Sequence, residues 1–202
     1  MAKTPNDLIL ASASPVRARL LRDAGVAFRI EPAEIDEGRV KRAARAAGEA
    51  ATACALTLAS GKARDVSARH RNSLVIGADQ ILVLGNEWLD KPADLAAART
   101  QLQMLRGRTH ELATAAAVLR AGEPLWQTVS VPRLTMRIFS EDFLDWYIAA
   151  EDAALLGSVG AYRLEGRGVQ LFSEIEGDHF AVLGLPIIEL LEFLRECGAL
   201  KG

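Results

Sequence analysis

The stretch LILASASPVR, residues 8–17, decides the fold class of this chain. Residues 8–11 form a continuous apolar run, which is typical of a strand that is buried on both faces of a parallel sheet. Ser14 and Pro15 predict a helix start, because a hydroxyl can cap the first turn and proline fits the first helical position. Gly25 predicts the end of that helix. The stretch therefore predicts a strand, a short loop and a helix.

A second buried strand is predicted over residues 74–78, which are all apolar or glycine. Asp79 follows this run, and we expect it at the carboxyl end of the strand. Open α/β sheets bind their ligands at that end of their strands. The next apolar run, residues 81–84, predicts a separate strand that ends in a turn at Gly85 and Asn86.

The remaining elements are a mixture of helices and strands. One alanine-rich helix is expected from Arg42 to Arg69, and a break at Gly48 or at Gly61 is left open. Further predictions are a helix over 93–105, strands over 111–119 and 129–138, a helix from Ser140, a hairpin pairing 169–175 with 179–183, and a helix from Leu185. This mixture favours an α/β or α+β class around one mixed sheet.

Composition and charge exclude some function classes. The 202 residues include 24 Lys and Arg against 26 Asp and Glu, so the formal net charge is −2. Proteins that hold nucleic acid through counterion release need a basic surface, so we expect no nucleic-acid partner. Half of the residues are apolar and a quarter are charged, which is an ordinary globular composition. We expect a single domain over residues 1–202, with or without two lobes.

Cysteine use and hydropathy predict the compartment. Cys54 and Cys197 form no C-x-x-C pair, which favours two buried thiols in a reducing compartment. Every apolar run falls short of the length of about 18 residues that a bilayer span needs, so no membrane association is expected. A cytoplasmic location is the prediction that follows.

Two places in the sequence can carry chemistry. Ser12 and Ser14 precede a helix N-terminus with Arg17 one turn in, which favours an anion site. The alternative there is a plain helix cap with a surface arginine. Asp79 can hold Mg²⁺ or accept a proton from water, and its alternative is an Asx turn into the next strand. The residues alone leave both alternatives open.

Taken together, the motifs resemble the Maf family of nucleotide pyrophosphatases. They are LASASPVR at 10–17, EIDE at 34–37, GKA at 61–63, IGADQ at 76–80, DKP at 90–92, LRGRTH at 105–110, GAYRLEG at 160–166 and VLGLP at 182–186. The match runs from Leu8 to about Leu194, which is nearly the whole chain. The number and the order of these motifs make the resemblance specific.

The resemblance implies an α/β fold with an elongated mixed sheet flanked by helices and a central cleft between two lobes, similar to inosine-triphosphate pyrophosphatases. It also implies hydrolysis of a nucleoside triphosphate to the monophosphate and pyrophosphate. Asp79 would be the catalytic carboxylate, as base toward the attacking water or as metal ligand, and Glu37 would share the metal, Mg²⁺ or Mn²⁺. The triphosphate would be bound by five residues: Ser12, Ser14, Arg17, Lys62 and Lys91.

Three positions of the family are associated with base choice, and here they hold Val16, Gln80 and Glu165. The Gln and the Glu resemble the branch that hydrolyses 7-methyl-GTP, whereas Val16 stands where that branch commonly has tryptophan. A carboxylate can accept from N1–H and from the N2 amine of guanine, and N7-methylation adds positive charge that favours an anionic partner. The resemblance therefore favours 7-methyl-GTP.

Two other functions are left open at this point. One is a pyrophosphatase of other non-canonical or pyrimidine nucleotides, dTTP and UTP among them. The other is a nucleotide-responsive binding protein that acts in cell-division arrest, with slow or incidental hydrolysis. The expected partner is the nucleotide substrate, and a homodimer is one possible assembly.

Overall fold

The computed structural model describes residues 7–201. In chain order its strands and helices are β1 (Leu8–Leu10), α1 (Pro15–Asp23), β2 (Arg29–Ile30), α2 (Glu37–Ala46), α3 (Ala51–Arg69), β3 (Leu74–Leu84), β4 (Glu87–Leu89), α4 (Leu95–Leu105), β5 (Thr109–Arg120), β6 (Glu123–Ser130), β7 (Arg133–Met136), α5 (Glu141–Glu151), β8 (Phe172–Glu176), α6 (His179–Val182) and α7 (Ile187–Glu196). The strands form an eight-stranded sheet. β1 pairs in parallel with β2 and β3, and β5 pairs antiparallel with β6 and β7. The predicted α/β fold with a mixed sheet is thereby confirmed.

The chain divides into two compact units. The first holds the described residues up to Gln80, the segment Thr114–Ser130 and the described residues from Gly184 onward. The second holds Ile81–Ala113 and Val131–Leu183. The single domain, the elongated shape and the central cleft stay predictions. None of the helices within residues 7–201 combines the length and the apolar character that a bilayer span requires.

The strand–loop–helix prediction at the start of the chain is confirmed. Residues 8–10 are buried, and Ile9 lies opposite Arg29 of β2 and Val75 of β3, both in parallel register. The Ser14 side chain caps α1 and Pro15 is its first residue. The apolar run thus fixes a central strand, and the hydroxyl followed by proline turns the chain directly into the helix.

The alanine-rich region forms two helices. α2 begins at Glu37, where the Asp36 side chain caps it, and the chain turns at Gly48, whose φ is +68°. Gly61 lies inside α3. The break at Gly48 is therefore the correct one of the two alternatives, and the first helix starts five residues earlier than expected.

The position of Asp79 requires a correction. β3 is one strand of 11 residues, so Asp79 lies inside it and not at its carboxyl end. Residues 74–76 pair in parallel with β1, and residues 82–84 pair antiparallel with β4. The apolar residues after Asp79 continue the strand because a second partner is available to them. Asp79 lies three residues beyond the last pair with β1.

Two other strand predictions are wrong. Residues 129–138 do not form one strand, because β6 ends at Ser130 and β7 begins at Arg133, and Pro132 between them cannot donate a ladder hydrogen bond. Residues 179–183 do not form the second arm of a hairpin. They begin with the helix α6, because the Asp178 carboxylate accepts from the N–H groups of Phe180 and Ala181.

The other predicted helices are confirmed. α4 begins at Leu95, since Asp94 caps it, and it ends at Leu105 as expected. α5 is capped by the Ser140 hydroxyl. α7 begins at Ile187, and this residue, Leu190 and Leu194 are buried on one face. Within the described residues, capping side chains thus set five helix starts, at Ser14, Asp36, Asp94, Ser140 and Asp178.

Candidate active site

Arg17 is bound to three parts of the first unit. Its Nε donates to the carbonyl oxygen of Gly184 at 2.8 Å, and its Nη1 donates to the carbonyl oxygen of Ala78 at 2.9 Å. The same Nη1 lies 3.2 Å from the Ser12 hydroxyl oxygen. The side chain therefore ties the loop after β1 to β3 and to the segment before α7. Arg17 is therefore anchored to the protein and is not a free surface side chain, and the anion site itself stays a prediction.

The charge of Arg17 faces the carboxylates of the site. Burial lowers the pKa of Arg17, and the carboxylates of Asp79 and Glu37 oppose that shift. A guanidinium stays protonated in proteins, so the charge is retained. Nε and Nη1 donate hydrogen bonds to other groups of the protein, whereas Nη2 makes no hydrogen bond within residues 7–201. Nη2 is thus the nitrogen of this guanidinium that keeps its donors free for a further acceptor.

The loop before α1 presents hydroxyl and backbone groups beside this arginine. The Ser12 oxygen accepts from the Ser14 N–H at 3.3 Å, and the Ser14 oxygen accepts from the Arg17 N–H at 3.4 Å. Ser12 is buried and Ser14 is partly buried. These bonds fix the loop at the N-terminus of α1, where the helix dipole favours negative charge.

Lys62 reaches the site because α3 packs very closely on β3. A Cβ atom at Gly77 would lie 2.0 Å from the carbonyl oxygen of Ala59, so only glycine allows this approach. The close approach places Lys62 of α3 beside Asp79 of β3. The Lys62 Nζ lies 2.6 Å from Asp79 Oδ1 and 2.7 Å from Glu37 Oε1. One ammonium thus bridges two carboxylates from different elements.

The two carboxylates differ in their surroundings. The Asp79 side chain is 6% exposed, whereas the Glu37 side chain is 46% exposed. Asp79 Oδ2 is buried and has no hydrogen-bond partner within the described part of the chain. A buried carboxylate oxygen without a partner is costly, and such atoms are rare in folded proteins. The geometry therefore leaves one acceptor atom of Asp79 for a ligand.

Glu37 and Asp79 are the two oxygen donors that could hold a metal ion in this site. Residues 7–201 contain no group of three or more His, Cys, Asp or Glu side chains arranged to hold one. Mg²⁺ is often bound by one or two carboxylates together with substrate phosphates, not by a complete protein cage. The two carboxylates and the unpartnered Asp79 oxygen fit that pattern.

Gln80 is oriented by a residue that the sequence did not single out. Its Nε2 donates to the Thr114 hydroxyl oxygen at 2.8 Å, and Thr114 is fully buried in β5. The sequence does contain a sign of this contact, because Thr114 is a polar residue within the apolar run LATAAAVL, residues 112–119. A buried hydroxyl needs a hydrogen-bond partner. Val16, the other candidate of this unit for base choice, is partly buried in the first turn of α1.

The remaining two predicted site residues belong to the second unit. Lys91 is exposed, between β4 and α4. Glu165 lies in a turn before residues 167–171, which form a 3-10 helix, and its Oε1 accepts from Arg163 Nε at 3.2 Å. The structure therefore brings together Ser12, Arg17, Glu37, Lys62 and Asp79 in the first unit. The catalytic, binding and specificity roles of all the predicted site residues stay predictions.

The protein therefore has an α/β fold with a site in which the Asp79 and Glu37 carboxylates both accept from Lys62. This site lies beside the N-terminus of α1, whose preceding loop is hydrogen-bonded to Arg17. A family model described as "Maf-like protein" matches residues 7–197. The chain therefore belongs to the Maf-like protein family, as its motifs had indicated.

Individual relatives cover almost the whole chain. A protein of Granulibacter bethesdensis named nucleoside triphosphate pyrophosphatase is 51% identical over 193 residues, which is 96% of this chain and 98% of that protein. A protein of the same name from Rhodospirillum rubrum is 48% identical and covers 96% of each chain. A protein of Rhizobium etli named 7-methyl-GTP pyrophosphatase is 48% identical over 195 residues, which is 96% of this chain and 98% of that protein.

Proposed function

We propose that this protein is a nucleoside triphosphate pyrophosphatase, a hydrolase of acid anhydrides that releases pyrophosphate and leaves the nucleoside monophosphate. The observation that carries the proposal is the placement of the Lys62 ammonium between the carboxylates of Asp79 and Glu37. The names of the relatives from Granulibacter and Rhodospirillum support the same activity.

The substrate's negative charge must be balanced before its α-phosphorus can be attacked. The N-terminus of α1, the Ser12 and Ser14 hydroxyls, Arg17 Nη2 and the Lys62 ammonium supply that balance from the first unit. Lys91 adds a further cation in this proposal. Because these groups are fixed donors or cations, they also stabilise the charge that develops on the departing pyrophosphate.

Asp79 Oδ2 would take the proton of the attacking water. This atom is buried and unpartnered, whereas Oδ1 is held by Lys62. The water oxygen forms a bond to the α-phosphorus, the bond from that phosphorus to the bridging oxygen breaks, and pyrophosphate leaves with the electron pair. A carboxylate held by one oxygen can act as a base through the other, provided that the water lies within hydrogen-bond reach.

A divalent metal ion, Mg²⁺ or Mn²⁺, belongs to this proposal. Glu37 would hold it, together with Asp79 where Asp79 acts as metal ligand and not as base, and the ion would supply further neutralisation of the phosphate oxygens. Lys62 lies between the same two carboxylates and keeps them close together in spite of their mutual repulsion.

For the base we propose 7-methylguanine, so that the enzyme would remove 7-methyl-GTP from the nucleotide pool of the cytoplasm. Gln80 and Glu165 carry this choice, and the name of the Rhizobium etli relative supports it. Two free thiols, at Cys54 and Cys197, agree with a reducing compartment.

The proposal is tested by measuring pyrophosphate release with Mg²⁺ over a panel of 7-methyl-GTP, GTP, ITP, dTTP and UTP. We expect the largest kcat/KM for 7-methyl-GTP. A preference for dTTP or UTP would show that the assigned base is wrong, whereas the proposed reaction would still stand. Tight nucleotide binding without any pyrophosphate release would overturn the reaction and favour a binding protein.

A further inference from the structure

Four charged residues are linked by ion pairs around the turn that carries Glu165. We call it the Glu151 cluster, and its members are Glu151, Arg163, Glu165 and Arg167. Glu151 is the last residue of α5, and its side chain is only 4% exposed. Its Oε2 lies 3.5 Å from Arg163 Nη1, and its Oε1 lies 3.2 Å from Arg167 Nη1. Two arginines thus neutralise one buried carboxylate.

Arg163 also contacts Glu165. Its Nε donates to Glu165 Oε1 at 3.2 Å, while Nη1 of the same guanidinium faces Glu151. A guanidinium is planar and holds its donors in a fixed arrangement. The Glu165 carboxylate is therefore held by a rigid group whose other end lies at a buried anchor.

The backbone around Arg163 is also fixed. The N–H of Gly166 donates to the carbonyl oxygen of Arg163 at 3.2 Å. A Cβ atom at Gly168 would lie 2.4 Å from that same carbonyl oxygen, so the chain folds back tightly on Arg163. Both the side chain and the backbone of Arg163 are therefore restrained, and they restrain the turn that contains Glu165.

Arg167 gives a natural comparison within the cluster. Its Nη1 contacts Glu151 Oε1 and the carbonyl oxygen of Ala150, and it makes no contact with Glu165. Both arginines thus stabilise the buried carboxylate of Glu151, but Arg163 alone of the two contacts the carboxylate of Glu165. A structural role and a positioning role can be separated by changing each arginine in turn.

We propose that Arg163 is a positioning residue for base recognition, which holds the Glu165 carboxylate in the orientation that accepts from N1–H and the N2 amine of a guanine-type base. This rests on the proposed function, in which Glu165 faces the base. A carboxylate oxygen has two acceptor positions, so Oε1 can keep the Arg163 bond while a base donates to it. A carboxylate held in place before binding loses less conformational freedom when the base arrives.

The test measures kcat and KM of Arg163→Gln for 7-methyl-GTP and for UTP. We expect kcat/KM for 7-methyl-GTP to fall about tenfold, mainly through KM, since a charge-assisted positioning bond is lost, while the value for UTP stays within about twofold. Arg167→Gln is the matched control. It removes the other arginine from Glu151, and we expect the ratio of the two kcat/KM values to stay that of the wild type.

The double variant Arg163→Gln, Glu165→Gln should show the same base selectivity as Glu165→Gln alone, because Arg163 acts through Glu165. An equal loss on both nucleotides in Arg163→Gln, or the same loss of selectivity in Arg167→Gln, would overturn the inference. If Glu165→Gln alters selectivity and Arg163→Gln does not, only this inference fails. If Glu165→Gln leaves selectivity unchanged, the assignment of Glu165 to the base fails and the inference falls with it.

Discussion

The ammonium of Lys62 lies 2.6 Å from Oδ1 of Asp79, and both side chains are buried. One residue sits on a helix and the other on the strand beneath it. The pair holds one oxygen of Asp79 and leaves the second without a partner. The ion pair therefore stabilises the site through Oδ1, and Oδ2 is the atom of Asp79 that can act on a ligand.

Replacing Lys62 by methionine tests the energetic part of that relationship. The Lys62→Met variant keeps the length of the side chain and leaves Asp79 without its cation. We expect the free energy of unfolding to fall by about 3 kcal/mol, because removal of one partner leaves a buried charge uncompensated. Urea denaturation at pH 7 measures this change.

Glu37→Gln is the control for that experiment. Glu37 contacts the same ammonium but is half exposed, so its loss should cost less than about 1 kcal/mol. An unfolding free energy of Lys62→Met equal to that of the wild type would contradict the assigned role of the buried pair.

The close approach of α3 to β3 predicts opposite effects at two glycines. In Gly77→Ala the new methyl group would lie 2.0 Å from the Ala59 carbonyl oxygen, so the helix must move away from the strand. We expect the free energy of unfolding to fall by about 3 kcal/mol or more, which is the upper end of the usual cost of overpacking. In Gly61→Ala, within the same helix, the nearest atom is 3.7 Å away. For Gly61→Ala we expect the free energy of unfolding to rise by about 0.5–1 kcal/mol, because alanine has the higher helix propensity.

Urea denaturation of both variants measures whether Gly77→Ala lowers and Gly61→Ala raises the free energy of unfolding. Gly77→Ala should also lower turnover, because Lys62 moves with the helix. A Gly77→Ala protein as stable as the wild type would mean that the helix can withdraw from the strand at no cost.

The sequence indicated some parts of this arrangement and not others, for physical reasons. The β1 run and the Ser14-Pro15 start were predictable because burial, capping and proline geometry act within a few residues of each other. Lys62 and Asp79 are separated by 17 residues along the chain. Their contact depends on the packing of a helix against a strand, which local patterns do not specify.

The errors have the same origin. The sequence pattern predicts a strand end at Asp79 because a charged residue interrupts the apolar run, but pairing with β4 through residues 82–84 continues the strand. The Glu151 cluster joins residues up to 16 positions apart, through Arg167. Asp178 is a local signal of the α6 start, since Asp is among the residues preferred at a helix N-cap.

His110 predicts how stability depends on pH. Burial lowers the pKa of His110 to about 4, and its Nε2 lies 2.8 Å from the Tyr162 hydroxyl oxygen. The unfolded chain has the ordinary histidine pKa of about 6.5, so it binds a proton at a pH where the folded protein does not. The stabilisation is therefore complete above about pH 6.5 and is lost as the pH falls toward 4.

We expect this histidine to account for a loss of about 2 kcal/mol between pH 7 and pH 4.5. The measurement is urea denaturation of the wild type and of His110→Gln at both pH values. The difference in unfolding free energy between the two proteins should shrink at the lower pH by that amount. A difference that stays constant would show that His110 is not held neutral by the fold.

In the proposed reaction, Asp79 supplies the reacting carboxylate of a nucleoside triphosphate pyrophosphatase. Its most direct test is pyrophosphate release by Asp79→Asn with saturating 7-methyl-GTP and Mg²⁺, together with the urea midpoint of the same variant. Asparagine can still accept from Lys62, whose charge stays paired with the Glu37 carboxylate, but it cannot take a proton from water. We predict that turnover falls at least about 100-fold, the lower range for loss of a general base, while the midpoint stays close to the wild-type value. Turnover equal to that of the wild type would show that Asp79 is not the reacting carboxylate.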